Sequence, residues 1–335
     1  MSKSSCELPP LLAITAGDLQ GIGPEIIARS LSVNQLRRRC RPVVIGNHEV
    51  LSQAFARWGE GIEVRVVLCP DLGATADGPI QLWDPVDARS EVDRALPEMV
   101  YIRSAAQGCL EGQFQAMVTA PICKESMYQR GFQFPGHTEY LAHVTRSAHP
   151  VMAFAAPGLK VSLATVHLPL REVPAALSSE LVLTTLRLSA EGLRELFGID
   201  RPRLALCGLN PHAGENGHLG DEELRILRPA LEQARAEGLE VVGPLPADTV
   251  FGQAVRGRFD LVVALYHDQG LIPIKLLNFG ESVNLTLGLP IVRTSVDHGV
   301  AYDIAGKGTA DSSSMSAALG LALEIIAHRA ARTST

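Results

Sequence analysis

The chain has 335 residues, 46% hydrophobic and 20% charged, with a formal net charge of −6 at pH 7. At about 150 residues per domain this is length for two domains or one large α/β body. No Lys/Arg-rich block is present, and Arg37-Arg38-Arg39 is too short to track a phosphate backbone, so nucleic acid is excluded as an expected partner.

In chain order, apolar runs predict strands at 11–15, 42–45, 63–68, 116–119, 160–166, 203–207, 239–242, 261–266 and 290–294. Between them, helical patterns cover 24–31, 98–111, 181–196, 221–237 and 312–332. The helix at 221 opens on Asp-Glu-Glu and stops before Gly238, the expected start and stop chemistry. Such alternation builds βα units around a largely parallel sheet, with the active site beyond the carboxyl ends of the strands. The six cysteines (Cys6, Cys40, Cys69, Cys109, Cys123 and Cys207) contain no C-x-x-C pair, which argues against a zinc ribbon or a disulfide framework. No apolar run reaches the roughly 18 residues of a membrane helix. Residues 3–10, which include Lys3 and Cys6, lack the apolar core of a secretory leader. The expectation is a cytoplasmic protein with no membrane partner.

The first strand runs into the turn Ala16-Gly17-Asp18-Leu19-Gln20-Gly21-Ile22-Gly23-Pro24-Glu25, with Pro24 placed to open a helix. It is not a dinucleotide fingerprint: the third glycine would fall on Ile26, and the next strand ends in Gly46-Asn47 with no acidic residue. A tight structural turn is the competing reading.

The histidines carry more. His167, His212 and His267 each closely follow an apolar strand. If those strands are parallel neighbours, the imidazoles meet at one sheet edge, and three neutral imidazoles suit a divalent ion such as Zn²⁺ or Co²⁺. Three unrelated loop residues are the alternative. Asp268 and Asp248 are candidates for acid/base work or for supporting a ligand, and Asp248 also reads as a helix cap. The segment from Phe134 to Tyr140 enters a helix, so its backbone N–H groups with His137 and Thr138 suit a phosphate or carboxylate. Lys275, Asn284 and Arg293 flank the turn-rich stretch 279–293 and offer two cations and an amide; singly, the cations also read as surface groups. The Gly-rich stretch 297–308 suits an adenosine or a plain connection, and lacks the spacing of a P-loop.

Several blocks together resemble the 4-hydroxythreonine-4-phosphate dehydrogenase family: Gly21-Ile-Gly-Pro-Glu25, Thr119-Ala-Pro121 with Lys124, Gly136-His-Thr-Glu139, Gly208-Leu-Asn-Pro-His-Ala-Gly-Glu215, Tyr266-His-Asp-Gln-Gly270, Asn284-Leu-Thr-Leu-Gly-Leu-Pro290 and Arg293-Thr-Ser-Val-Asp-His-Gly299. The resemblance implies two α/β/α domains with a cleft between them, of the isocitrate/isopropylmalate dehydrogenase type. It implies a first domain of residues 1–135 with 290–335 and a second of 136–289 carrying the metal histidines. It also implies a homodimer with its active site at the subunit interface. The metal ligands it implies are His167, His212 and His267, holding Zn, Mg or Co, with a ligand able to come from the partner subunit. The implied substrate set is His137, Thr138, Lys275, Asn284 and Arg293. The stretch with His298, Gly299, Ala301 and Ile304 is similar to the nucleotide loop of isocitrate and isopropylmalate dehydrogenases and is expected to bind NAD or NADP.

The reaction so implied is oxidation of 4-phosphooxy-L-threonine at C3, then decarboxylation to 3-amino-2-oxopropyl phosphate, a precursor of pyridoxal phosphate. Residue chemistry makes Lys275 a candidate proton carrier, with Asp248 and Asp268 as equal rivals. Where the family usually has proline and a small residue, this chain has Leu19-Gln20. Sister enzymes that act on 4-phosphothreonate or on aromatic cis-dihydrodiol dicarboxylates therefore form the alternative.

Overall fold

The computed structural model describes residues 8–277 and 280–333; Lys3, Cys6 and Phe279 of the motifs above lie outside them. The described strands are β1 (Leu11–Thr15), β2 (Arg41–Ile45), β3 (Val64–Val67), β4 (Ile80–Trp83), β5 (Ala116–Thr119), β6 (Val151–Ala156), β7 (Leu159–Leu163), β8 (Arg203–Cys207), β9 (Glu240–Leu245), β10 (Leu261–Ala264), β11 (Val283–Leu287) and β12 (Arg293–Ser295). They fall into two compact units, one running to Ala148 and including Leu289–Ile326, the other made of His149–Gly288 and the chain from Ala327.

The first unit has strand order β3-β4-β2-β1-β5-β12, and every pairing in it is parallel. Parallel strands need both faces covered, and their composition shows it. Leu11, Ala13, Val43, Ile45 and Met117 pack with Tyr101, Ile102 and Ala105 of the helix Pro97–Leu110. The alternate residues Leu12, Ile14 and Val44 are equally buried, as are Ile26, Ile27 and Leu31 of the helix Gly23–Leu31. The helix His137–Thr145 belongs to this unit, because Tyr140 and Leu141 share the core of Tyr101 and Phe114. The chain therefore leaves the first unit after Ala148, later than the boundary at 135 that the resemblance implies.

In the second unit the order is β11-β6-β7-β10-β8-β9. β6 runs antiparallel to both β11 and β7, while β7, β10, β8 and β9 are parallel in that order. On one side Val182, Leu186 and Leu193 of the helix Ser179–Phe197 pack on Leu204, Leu206 and Val263. On the other, Val250 and Phe251 of the helix Ala247–Val255 and Ile274 of the helix His267–Leu277 pack on Val161, Ala205 and Val262.

β4, β6 and β11 were not predicted, and neither was the helix His267–Leu277. β11 hides a plain alternation (Val283, Leu285 and Leu287 buried) inside a stretch whose glycines read as turns. The helix at 267 carries Pro273 in its interior, which reads as a stop. The predicted helix at 221 begins instead as a π-turn, Glu223–Leu227, and continues as Arg228–Ala236. Pro229, near the start of the second segment, has no N–H to extend a regular ladder. Cys40, Cys69, Cys109, Cys123 and Cys207 are free thiols. No described helix is long and apolar enough to cross a membrane.

Candidate active site

β7, β10 and β8 are parallel neighbours, so the segments leaving their carboxyl ends, which carry His167, His267 and His212, start side by side. The His167 and His267 rings stand 5.7 Å apart between centroids, tilted by 42°. Asp268 Oδ1 lies 2.7 Å from His267 Nδ1. A proton shared there fixes the ring and leaves the Nε2 lone pair as the one able to ligate, the usual carboxylate–imidazole support of a metal ligand.

His212 does not join that pair within the chain. Among the described residues no three His, Cys, Asp or Glu side chains form a cluster fit for a metal ion. His212 instead opens a left-handed turn, with φ of 52° at His212, 53° at Ala213, 76° at Gly214, 42° at Glu215 and 55° at Asn216. Left-handed backbone costs roughly 1–2 kcal/mol per non-glycine residue, so the turn stands only because something outside it imposes it. Its outer side borders a groove of about 510 Å³ lined by His212, Glu215, Arg228, Arg235 and Pro244 among others.

In the first unit a second cluster forms at the carboxyl ends of β1, β5 and β12. Arg293 is 4% exposed. Its Nε and Nη2 donate to Thr119 Oγ1 at 3.2 and 2.9 Å, and Thr119 Oγ1 donates to Ser295 Oγ at 2.9 Å. Burial pulls the Arg293 guanidinium down to about 9, against the attraction of Glu139. Beside it, His137 Nε2 is sealed from solvent with no hydrogen-bond partner, as is Thr15 Oγ1. Burial, then Arg293 and then Lys124, holds His137 well below its usual range. A Cβ on Gly136 would stand 3.3 Å from Lys124 Nζ, so glycine here leaves the lysine its place at the start of the helix His137–Thr145. The buried Arg293 guanidinium, the exposed Lys124, an orphaned imidazole nitrogen and a helix N-terminus make a set that would suit an anion.

The buried state of His137 has a measurable consequence. Below about pH 6.5 the unfolded chain binds a proton that the folded chain refuses, so stability is present above that pH and lost as pH falls. One such group contributes at most about 1.4 kcal/mol per pH unit. His137→Gln is expected to flatten the fall in Tm between pH 6.5 and 5; a slope identical to the parent would show that His137 titrates freely.

The stretch 297–308 is stitched to the first turn of the chain. Ile22 N donates to Val300 O at 2.9 Å, and the Tyr302 hydroxyl donates to Asp18 Oδ2. Ala310 N donates to Glu25 Oε1 at 3.0 Å, and Arg29 Nη1 to Gly308 O at 2.7 Å. Glu25, 1% exposed, is thus a structural clamp. Gly21 is needed because a Cβ there would lie 2.7 Å from Val300 O. A cavity of about 300 Å³ adjoins, lined by Leu19, Gln20, Arg57, Trp58, Ala305 and Gly306 among others. His298, Gly299, Ala301 and Ile304 do not line it; the next two residues do.

Of the remaining candidates, Asp248 is exposed in the first turn of the helix Ala247–Val255 and makes no side-chain cap, so the cap reading fails. Lys275 lies in the last turn of the helix that His267 opens, and Asn284 lies on β11. Thr119, Ser295, Lys124 and Glu139 were not assigned roles from sequence, although Thr119 ends a predicted strand where an active-site residue is expected.

The model of the family described as pyridoxal phosphate biosynthetic protein PdxA matches residues 38–322. A Desulfosudis oleivorans protein named 4-hydroxythreonine-4-phosphate dehydrogenase is 46% identical over 323 residues, covering 94% of this chain and 96% of its own length. The crystal structure of the 4-hydroxythreonine-4-phosphate dehydrogenase of Klebsiella pneumoniae matches with a TM-score of 0.83 at 40% identity, covering 95% of this chain and 99% of that one. A terephthalate 1,2-cis-dihydrodiol dehydrogenase of Burkholderia xenovorans matches at 0.65 and 27% identity, over 94% and 98%.

Proposed function

The chain belongs to the family of the pyridoxal phosphate biosynthetic protein PdxA, and from that premise we propose how its residues carry out the oxidation that the family's name implies. It is an oxidoreductase of pyridoxal phosphate biosynthesis that acts on a small phosphorylated compound, which this reading takes to be 4-phosphooxy-L-threonine (4-hydroxythreonine 4-phosphate). The reading takes NAD(P)⁺ as oxidant and a divalent cation held by His167, His212 and His267. The observation that carries it is the facing pair His167 and His267, with Asp268 on the second ring nitrogen of His267.

The donor set fits such an ion. Imidazole suits Zn²⁺ or Co²⁺, and the carboxylate of Asp268 does the orienting work that ligating histidines need. When bound, the cation supplies Lewis acidity at the alcohol and the nicotinamide supplies the hydride acceptor. The chain's own residues bind and hold. Arg293 of β12, with His137, Thr138 and the N-terminus of the helix those two open, receives an anionic group of the substrate, while Lys275 and Asn284 complete the substrate set. The substrate loses hydride from C3 to the oxidant, and its hydroxyl proton passes to Lys275, which returns a proton to the carbon that CO₂ leaves. Asp268 is committed to His267 and Asp248 is exposed, so this reading takes Lys275 of the three rivals. The β-keto acid so formed then loses CO₂ to give 3-amino-2-oxopropyl phosphate. NAD(P)⁺ is assigned to the stretch holding His298, Gly299, Ala301 and Ile304, beside the cavity that Ala305 and Gly306 line.

A homodimer completes the site in this reading: His167 and His267 act from one subunit and His212 of the partner subunit supplies the third imidazole. The exposed Ile272, Leu276 and Leu277 on the helix that starts at His267 support a covered face there. Mixing inactive His212→Ala and His267→Ala subunits is expected to restore activity, since one site of each hybrid then has all three rings. No recovery on mixing would place all three ligands in one subunit.

The substrate is tested by comparing kcat/KM for NAD(P)⁺ reduction on 4-phosphooxy-L-threonine, 4-phosphothreonate and a cis-dihydrodiol dicarboxylate. The phosphooxythreonine is expected to lead by at least tenfold. The higher identity to phosphate-substrate relatives, 46% and 40% against 27%, favours it. Equal or better turnover on another substrate would move the chain to a sister activity, with Leu19 and Gln20 on the cavity wall as the first suspects.

A further inference from the structure

His212 is presented by backbone that L-residues avoid, and one side chain ties that backbone down. Glu223 is 2% exposed and opens the π-turn Glu223–Leu227. Its Oε1 accepts the backbone N–H of Leu209 at 2.8 Å and of Asn210 at 2.7 Å. Its Oε2 accepts from Asn210 Nδ2 at 2.9 Å, and that amide also donates to Glu222 Oε2 at 2.7 Å. The donors are the residues directly before Pro211-His212, where β8 has ended and no strand partner can take their N–H groups. On the other side, a Cβ on Gly214 would come within 2.5 Å of Glu223 Oε2, and one on Gly208 within 2.7 Å of Ala213 Cα. The left-handed turn is therefore folded directly over this carboxylate.

We propose that Glu223 is the positioning residue for His212: its buried carboxylate gathers the strand end and the left-handed turn into the one arrangement that offers the His212 ring as a ligand. The charge is balanced by N–H dipoles, each a charge-assisted hydrogen bond stronger than a neutral one. Glu222 assists through Asn210 from the partly exposed side. The proposal rests on the reading of His212 as a ligand, and its test separates the two.

The experiment uses the full-length protein stripped of metal, as parent, Glu223→Ala, Glu223→Gln and His212→Ala. Zn²⁺ alone is titrated into each, and amide hydrogen exchange is followed without metal. Glu223→Ala is expected to weaken Zn²⁺ binding by about 10–100-fold, the range for losing an outer support of a ligand. It should also speed exchange over residues 208–217 while Leu204–Leu206 and β10 stay protected. Glu223→Gln should fall between, since it keeps one oxygen for the Leu209 and Asn210 N–H groups but turns a donor toward Asn210 Nδ2. Unchanged exchange over 208–217 in Glu223→Ala overturns the proposal. So does loss of protection spread equally through β8 and β10, which would make Glu223 a general core residue. So does Zn²⁺ affinity within twofold of the parent in Glu223→Ala when His212→Ala has lost it. If His212→Ala binds Zn²⁺ like the parent, the ligand reading fails, and faster exchange confined to 208–217 still supports Glu223 as the holder of the turn.

Discussion

His267→Ala is expected to lower kcat by about 10³-fold or more, because Lewis-acid stabilisation is worth several kcal/mol and each 1.36 kcal/mol is tenfold in rate. Stability should barely change. The His267 side chain is 37% exposed and its hydrogen bond is to the more exposed Asp268, so little packing is lost. The split between rate and stability is the diagnostic result: kcat and kcat/KM measured with the melting temperature under the same conditions. A variant that melts early yet turns over normally would make His267 a structural residue. Asp268→Asn should show a weaker form of the same pattern, through looser metal binding.

Arg293→Met is the second large effect. Replacing a whole buried ion pair by apolar residues is often neutral or stabilising, but removing one partner leaves the other charge uncompensated and costs about 3–5 kcal/mol. Glu139, whose attraction acts on Arg293, stays behind, so the melting temperature should fall although Thr119 keeps its bond to Ser295. Catalysis, measured where the variant is folded, should fall as well. Losing a buried charge-assisted contact costs about 2–5 kcal/mol, or roughly 30- to 5,000-fold in kcat/KM at 1.36 kcal/mol per decade. The loss should be far smaller on a substrate that lacks the phosphate, if that is the group Arg293 holds. Arg293→Lys should recover only part, because an ammonium has no planar fork to match an oxyanion. Unaltered kcat/KM in Arg293→Met would remove this pocket from the substrate site.

Much of this arrangement is legible in the sequence because its strands are fully buried and their ends are marked. Leu11–Thr15, Ala116–Thr119 and Arg203–Cys207 stand where the apolar runs place them. Because β7, β10 and β8 are parallel neighbours, the three strands that precede the histidines end at one sheet edge, as their apolar runs suggest. The same does not hold for all three rings, because the segment after β8 turns left-handed, and no period or propensity signals such a turn. Glu223 was invisible for a related reason. It reads as one of three acidic residues opening a helix, whereas a π-turn buries it under Leu209 and Asn210. Thr119 and Ser295 were missed because hydroxyls at strand ends are common and only the pairing of β5 with β12 brings them to Arg293.

The most direct measurement is NAD(P)⁺ reduction on 4-phosphooxy-L-threonine by the full-length protein, before chelation, after it, and after adding back Zn²⁺, Co²⁺ or Mg²⁺. The account predicts turnover that chelation abolishes and at least one of these ions restores, with His167→Ala, His212→Ala and His267→Ala each failing to respond to the added ion. Turnover indifferent to chelator, or restored equally in the three alanine variants, would contradict it.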